Sequence, residues 1–149
     1  MAPGDNRTGI DDQFNLRKRH PVSRLNLLKN AAQSNWARLV LDCSLDVAYG
    51  ESSGQRLDIF PGKDRPSPVF IFIHGGYFRA LDKSLYRYMA RPMAKAGMTT
   101  VLVNYDLAPK VTVAEIIRQN LSAFAWIRQN IHRWNGDRER MFLCGHSIG

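Results

Sequence analysis

The sequence MFLCGHSIG, residues 141 to 149, decides the fold class of this chain. Met141 to Cys144 is a short apolar run that predicts a buried strand, and it leads directly into a G-x-S-x-G motif centred on Ser147. Such a turn from strand into helix lifts the serine hydroxyl clear of a sheet, and it leaves room only for small residues at Gly145 and Gly149. Ser147 is therefore the candidate nucleophile. The alternative is a serine in an ordinary glycine-rich turn.

A second glycine motif, HGGYF at residues 74 to 78, follows the strongest predicted strand, VFIFI at 69 to 73. Continuous β-branched and aromatic residues are typical of a strand buried on both faces of a parallel sheet. The two adjacent glycines leave their peptide N–H groups bare, so both can donate to a carbonyl oxygen that becomes negative during acyl transfer. The predicted oxyanion donors are the N–H groups of Gly75, Gly76 and Ile148, with that of Tyr77 as a substitute.

None of the four histidines is predicted to be a catalytic base. His74 is interpreted as a brace that hydrogen-bonds the backbone of its own loop, and His146 as a residue that packs beneath Ser147. His132 ends a predicted helix, and His20 lies in the polar N-terminal stretch. A base is expected after the serine in the chain, as the order of residues in the G-x-S-x-G hydrolases requires.

The charge distribution and the cysteine spacing indicate which binding partners and metal sites to expect. A formal net charge of +8 over 149 residues ordinarily favours nucleic acid or an anionic membrane as a partner. The cations are scattered, with Arg17 to Arg19 as the only tight cluster, so neither partner is expected. Cys43 and Cys144 lack metal or redox spacing, which predicts no metal site and a reducing, cytoplasmic location. No signal-like or membrane-length apolar segment is found in the sequence.

Hydrophobic periodicity predicts a helix followed by an alternation of strands and helices. The first helix, about 23 to 41, has an apolar side made of Leu25, Leu28, Ala32, Trp36, Leu39 and Val40. The predicted strands are a hairpin at 45 to 49 and 55 to 60, followed by single strands at 69 to 73, 100 to 104 and 141 to 144. Two further helices are predicted between these strands. The first spans 84 to 96, with a kink at Pro92 and a stop at Gly97, and the second begins at the cap formed by Thr112 and Glu115 and ends before Gly136. This order predicts an α/β fold with a mostly parallel sheet after an antiparallel N-terminal hairpin.

Three motifs together resemble a known family. HGGYF at 74 to 78, NYDLAPKVTV at 104 to 113 and GHSIG at 145 to 149 resemble the kynurenine formamidase (arylformamidase) branch of the α/β-hydrolases, near the hormone-sensitive-lipase-like esterases. The resemblance begins at about Val47, and family members commonly have tryptophan where Phe78 stands. It implies hydrolysis of N-formyl-L-kynurenine to kynurenine and formate, with no cofactor or metal. A carboxylesterase of broad substrate range is the alternative.

The resemblance also implies a domain organisation. Residues 1 to 22 are expected to be a flexible leader, and residues 23 to 149 the N-terminal part of a truncated α/β-hydrolase domain that ends at the nucleophile turn. The acid and histidine follow the serine in this family, so the chain alone is expected to be inactive, with 141 to 144 as an open apolar edge. A non-catalytic interaction module that pairs through this edge is the alternative from another class. The oligomeric state is not predicted.

Overall fold

The structure is a computed structural model that describes residues 22 to 149. The predicted leader lies outside the described residues except for Val22, which begins the first helix. In chain order the elements are α1 (Val22–Val40), β1 (Ser44–Ala48), β2 (Arg56–Phe60), β3 (Ser67–Ile73), a 3-10 helix (Lys83–Met89), α2 (Ala90–Lys95), β4 (Thr99–Val103), α3 (Val113–Asn130), a second 3-10 helix (Ile131–Trp134) and β5 (Gly136–Gly145).

The strands form one sheet of five in the order β1-β2-β4-β3-β5. β1 and β2 make the predicted antiparallel hairpin, and β2 also pairs antiparallel with β4. β3 runs parallel to both β4 and β5, so that Ile71 pairs with Val101 on one side and with Leu143 on the other. The predicted antiparallel start followed by parallel strands is confirmed. The carboxyl ends of β3 and β5 therefore lie side by side, which places the two glycine motifs at one edge of the sheet.

Helices cover both faces of the sheet. On one face, Ala123 and Ile127 of α3 pack against strand residues such as Leu57 and Val101. On the other face, the first 3-10 helix and α2 cover the residues Phe60, Phe72 and Leu102. α1 lies outside this second layer, where the backbone N–H of Tyr88 donates to the Ser34 hydroxyl at 3.2 Å. Two cores thus hold β3 and β5 in place beneath the glycine motifs.

Two predicted elements differ from the structure. The helix expected at 84 to 96 is a 3-10 helix as far as Met89 and an α-helix only from Ala90. The change of helix type comes before Pro92, which lies in the first turn of α2, where a residue without an N–H leaves no helical bond unmade. Gly97, with φ of +73°, ends this helix as predicted.

The strand expected at 141 to 144 is longer and more exposed than predicted. β5 begins at Gly136, because Asn135 adopts a left-handed conformation that ends the preceding 3-10 turn. Phe142 and Leu143 are 57% and 60% exposed, so the prediction of a short buried strand is wrong in length and in burial, whereas the expectation of an open apolar edge at 141 to 144 is confirmed within the described residues. The reason is that β5 pairs only with β3 within residues 22 to 149.

No helix among residues 22 to 149 has both the length and the apolar character needed to cross a membrane. Cys43 and Cys144 are free cysteines. In the described part of the chain, no group of three or more His, Cys, Asp or Glu side chains is arranged to hold a metal ion.

Candidate active site

The turn after β5 holds Ser147 in a strained conformation. Its φ is +60°, a left-handed value that residues with a side chain rarely adopt outside functional sites. Two backbone hydrogen bonds close the turn, from His146 N–H to the Ile73 carbonyl at 3.1 Å and from Gly149 N–H to the His146 carbonyl at 3.0 Å. The side chain of Ser147 is exposed. This geometry is a sharp turn directly after a strand, which is the first part of what the G-x-S-x-G motif predicts.

Close backbone contacts explain the two glycines of this motif. A Cβ atom at Gly145 would overlap the carbonyl oxygen of Gly149, and a Cβ at Gly149 would overlap that of Ile73. Both neighbours are backbone atoms and cannot rotate away. Glycine is therefore required at both positions for steric reasons.

The loop after β3 lies directly against the Ser147 turn. A Cβ atom at Gly75 would lie 2.5 Å from the His146 carbonyl oxygen and 2.9 Å from Ser147 Cβ. The loop is sharply bent, with φ of +130° at Gly76 and left-handed values of +56° at Tyr77 and +58° at Phe78. The two glycine motifs thus meet at the carboxyl ends of neighbouring parallel strands.

Several backbone N–H groups at this junction are unpaired. The N–H groups of Arg79 and Ala80 both donate to the Gly76 carbonyl at 3.0 Å. Within residues 22 to 149, no hydrogen-bond acceptor is found for the N–H groups of Gly75, Gly76, Tyr77 or Ile148. Unpaired donors from two sides of an exposed serine can stabilise a negatively charged oxygen formed next to that serine.

His74 is fully buried beneath the loop. Its ring stacks on Tyr105 with 4.5 Å between centroids, and its Nδ1 and Nε2 atoms lie 2.8 Å from the Gly75 carbonyl oxygen and 3.1 Å from Asn104 Oδ1. Burial lowers the pKa of His74 below its ordinary value, and this effect outweighs the two hydrogen bonds, which act in the opposite direction. The ring serves as a packed contact between β3 and the loop.

Asn104 is a residue for which the sequence suggested no role. Its Oδ1 atom faces His74 Nε2 and also accepts a hydrogen bond from the backbone N–H of Lys83 at 3.1 Å. One amide oxygen thus contacts both ends of the segment from 74 to 83, which contains the predicted oxyanion donors. The NYDLAP sequence was visible as part of the family resemblance, but the fold is needed to bring this side chain to the loop.

The far end of this segment is held by an ion cluster made of the buried Asp58, Lys83 and Arg87 together with the exposed Asp46; we call it the buried ion cluster after its first three members. Lys83 Nζ lies 3.0 Å from Asp58 Oδ1 and 2.6 Å from Asp46 Oδ1, and Arg87 Nε lies 2.6 Å from Asp58 Oδ2. Asp58 also accepts the backbone N–H of Asp46 at 3.0 Å. The cluster ties the end of the loop to β1 and β2.

The remaining titratable candidates do not complete a triad. No hydrogen bond joins Ser147 to an imidazole in the described part of the chain, where His132 and His146 are both exposed. Asp106 accepts hydrogen bonds from Gln119 Nε2 at 3.0 Å and Lys110 Nζ at 3.1 Å. Burial alone raises the pKa of Asp106, but these hydrogen bonds lower it overall. Asp106 is thus engaged in the loop after β4.

An apolar groove of about 420 Å³ begins at the Ser147 turn. It lies between α3 and the face of the sheet formed by β3, β4 and β5. Its principal lining residues are Phe78, Ile116, Leu121, Phe124, Leu143 and Ile148. The groove therefore adjoins the backbone that carries the candidate oxyanion donors.

These features have a known counterpart. A family model described as alpha/beta hydrolase fold matches residues 70 to 149, which include both glycine motifs. The chain belongs to the α/β-hydrolase family. The position of Ser147 after a parallel strand and the glycine loop after the neighbouring strand are the features expected of this fold.

The chain is also similar to individual hydrolases in sequence and in structure. The chain is 34% identical over 115 residues to kynurenine formamidase of Danio rerio, a match that covers 76% of this chain. It is 31% identical over 107 residues to esterase LipC of Mycobacterium tuberculosis, covering 69% of this chain. The crystal structure of a candidate thioesterase from a Silicibacter species superposes with a TM-score of 0.79 at 27% identity, over 93% of this chain and 51% of the other.

The chain spans only part of these relatives. The matches cover 38% of the Danio rerio formamidase and 27% of the mycobacterial esterase. In this α/β-hydrolase the described residues include the serine turn and the glycine loop, whereas no histidine and acid partner for Ser147 is found among them.

Proposed function

We propose that Ser147 is the nucleophile of a serine hydrolase of the kynurenine formamidase type, which cleaves N-formyl-L-kynurenine to kynurenine and formate. The observation that carries the proposal is the left-handed backbone of Ser147, with φ of +60°, beside the unpaired N–H groups of the HGGYF loop. Similarity to formamidases of Danio rerio and Salmo salar, at 34% and 33% identity, supports a formamide as substrate.

In the proposed reaction, the Ser147 hydroxyl attacks the formyl carbon and the formyl oxygen becomes negative. The N–H groups of Gly75, Gly76 and Ile148 donate to this oxygen, and each such donor typically contributes about 3 kcal/mol to the transition state. The C–N bond then breaks, the amine leaves with a proton, and water hydrolyses the formyl-enzyme. His74 and Tyr77 support the loop in this scheme, while Gly145 and Gly149 allow the turn.

The scheme places the proton acceptor, a histidine oriented by an acid, after Ser147 in chain order, and Ile148 and Gly149 supply neither group. We therefore expect the 149-residue chain to lack turnover when it is the only protein present. A carboxylesterase is the second candidate, because the chain is also similar to esterase LipC and because the same donors stabilise the oxyanion of an ester.

The experiment compares two proteins, the chain alone and a chimera. In the chimera, residues 1 to 149 continue into the part of the Danio rerio formamidase that follows its matched segment. Kynurenine release from N-formyl-L-kynurenine and nitrophenol release from p-nitrophenyl acetate are measured for both proteins, after circular dichroism has shown that each is folded. We expect turnover by the chimera and none by the chain.

Ser147→Ala tests the nucleophile, and Ser122→Ala is the matched control, because Ser122 is an exposed serine on α3 away from the site. Loss of chimera turnover in Ser147→Ala but not in Ser122→Ala supports the proposal. Turnover that survives Ser147→Ala contradicts it. A chimera that cleaves only the ester indicates a carboxylesterase. Turnover by the 149-residue chain alone contradicts the proposal that its proton acceptor lies outside this chain.

A further inference from the structure

The helix α1 has its apolar side facing outwards. Ser34 and Ala37 face the protein and are 1% and 0% exposed. The opposite side carries large apolar side chains at a spacing of three and four residues, which places them on one face of the helix. We name this face the α1 stripe; it consists of Leu25, Leu28, Ala32, Trp36, Leu39 and Val40.

Exposure of the α1 stripe is high for such large residues. Leu28 and Leu39 are 68% and 72% exposed, and Trp36 is 53% exposed. The stripe extends along most of a helix of 19 residues, and it is a fixed feature of the fold because the Ser34 side is packed against the 3-10 helix. A row of exposed large apolar side chains along one side of a helix is typical of an interaction site.

All charged residues of α1 are basic. No aspartate or glutamate occurs from Gln13 to Leu41. The same interval contains six of the chain's 21 lysines and arginines, which are Arg17, Lys18, Arg19, Arg24, Lys29 and Arg38. Arg24, Lys29 and Arg38 lie within α1 itself, so the helix that carries the stripe has basic residues and no acidic one.

We propose that the α1 stripe binds the surface of a lipid bilayer that carries anionic headgroups. A helix with leucine and tryptophan on one side and only basic charges around it is suited to lie at the interface between headgroups and acyl chains. Leucines of the stripe enter the acyl boundary, Trp36 lies at headgroup depth, and the cations contact lipid phosphates.

A second copy of α1 fits this surface less well. Two such helices packed through their stripes would bring the basic residues of both copies together without an acidic partner, which opposes association. An anionic bilayer provides the opposite charge and an apolar layer at once. The charge pattern therefore selects the membrane surface over self-association.

The test is flotation of the purified 149-residue chain with vesicles, because aggregated protein does not float with them. The vesicles contain phosphatidylcholine with phosphatidylglycerol, or phosphatidylcholine alone. We expect stronger flotation with the anionic vesicles, a blue shift of tryptophan emission that Trp36→Phe removes, and weaker binding at high salt. Lys29→Gln should weaken binding to the anionic vesicles by about fivefold.

The decisive variant is Leu28→Asn combined with Leu39→Asn, which should reduce vesicle partitioning by at least about tenfold. Leu121→Asn is the matched control, because Leu121 is 66% exposed on α3 and lies outside the stripe. Absence of flotation with anionic vesicles, or equal flotation of the double variant and wild type, overturns the proposal. A dimer that the double variant dissociates, without vesicle binding, assigns the stripe to a second copy instead. If circular dichroism shows that the double variant is unfolded, the salt dependence and Trp36 emission of the folded chain decide the question.

Discussion

Backbone strain in this protein is concentrated at the candidate active site. Among residues 22 to 149, six residues other than glycine have a positive φ, and four of them lie in the glycine loop or the serine turn: Tyr77, Phe78, Leu81 and Ser147. Each such conformation costs about 1–3 kcal/mol and persists only where the surrounding contacts impose it. The contacts here are backbone hydrogen bonds, such as that from Ala108 N–H to the Phe78 carbonyl at 2.7 Å. The strain supports a functional reading of the junction.

Gly75→Ala should separate the loop from the serine turn. The added methyl group would lie 2.5 Å from the His146 carbonyl oxygen, a backbone atom that cannot move without shifting β5. We expect the free energy of unfolding to fall by about 1–3 kcal/mol, the usual cost of overpacking. Chemical denaturation of the 149-residue chain measures this difference.

Gly97→Ala is the control for this substitution. Its Cβ would have ordinary space, with Asp64 Oδ2 at 3.5 Å, but its φ is +73°. Its cost is therefore purely conformational, about 1–2 kcal/mol. Wild-type stability in Gly75→Ala would contradict the close approach of the two glycine motifs.

Among the connections between elements, the buried ion cluster links the hairpin to the end of the glycine loop. Asp58 is fully buried on β2, and it contacts both Lys83 and Arg87 of the first 3-10 helix. A charge removed from water is stable only while its partners remain. The position of the loop therefore depends on β2, which is distant from it in sequence.

Asp58→Asn should destabilise the chain by about 3–5 kcal/mol, because it leaves the two cations buried with less compensating charge. Denaturation with urea measures the loss. Arg118→Gln is the control, since Arg118 forms an exposed pair with Glu115 on α3 and should cost less than about 1 kcal/mol. Equal effects of the two substitutions would show that the Asp58 cluster does not hold the loop.

For the whole molecule, the unpaired side of β5 governs association of the 149-residue chain. β5 is the last strand of the sheet in the described residues, and an exposed apolar edge strand pairs readily with other chains. Leu143→Lys should raise the concentration at which the chain stays monomeric by several-fold, as measured by size exclusion with light scattering.

Leu121→Lys tests whether the chain associates through the edge of β5 or through the apolar groove. Leu121 and Leu143 both line the apolar groove and are 66% and 60% exposed, but only Leu143 is on the edge strand. An improvement confined to Leu143→Lys indicates pairing through the strand edge. Equal improvement in both variants would assign association to the groove and contradict the edge.

The sequence alone determined the features that depend on local chain geometry. It located the parallel strands, the two glycine motifs and the start of α3, where Thr112 Oγ1 accepts the N–H of Glu115 at 3.2 Å as the capping pattern predicts. These signals are readable because a turn, a cap or a buried strand requires particular residues within a few positions of each other.

The tertiary structure decided which long-range contacts the side chains make and which side of each helix is buried. Asn104 and Asp58 reach the glycine loop only because β2, β4 and β3 lie near one another in the sheet, which no local pattern encodes. The periodicity of α1 correctly predicted an apolar side, and such a side usually faces the core. The fold instead packs Ser34 and Ala37 inwards and leaves the leucines outside, because periodicity defines two sides of a helix but not which of them meets the sheet.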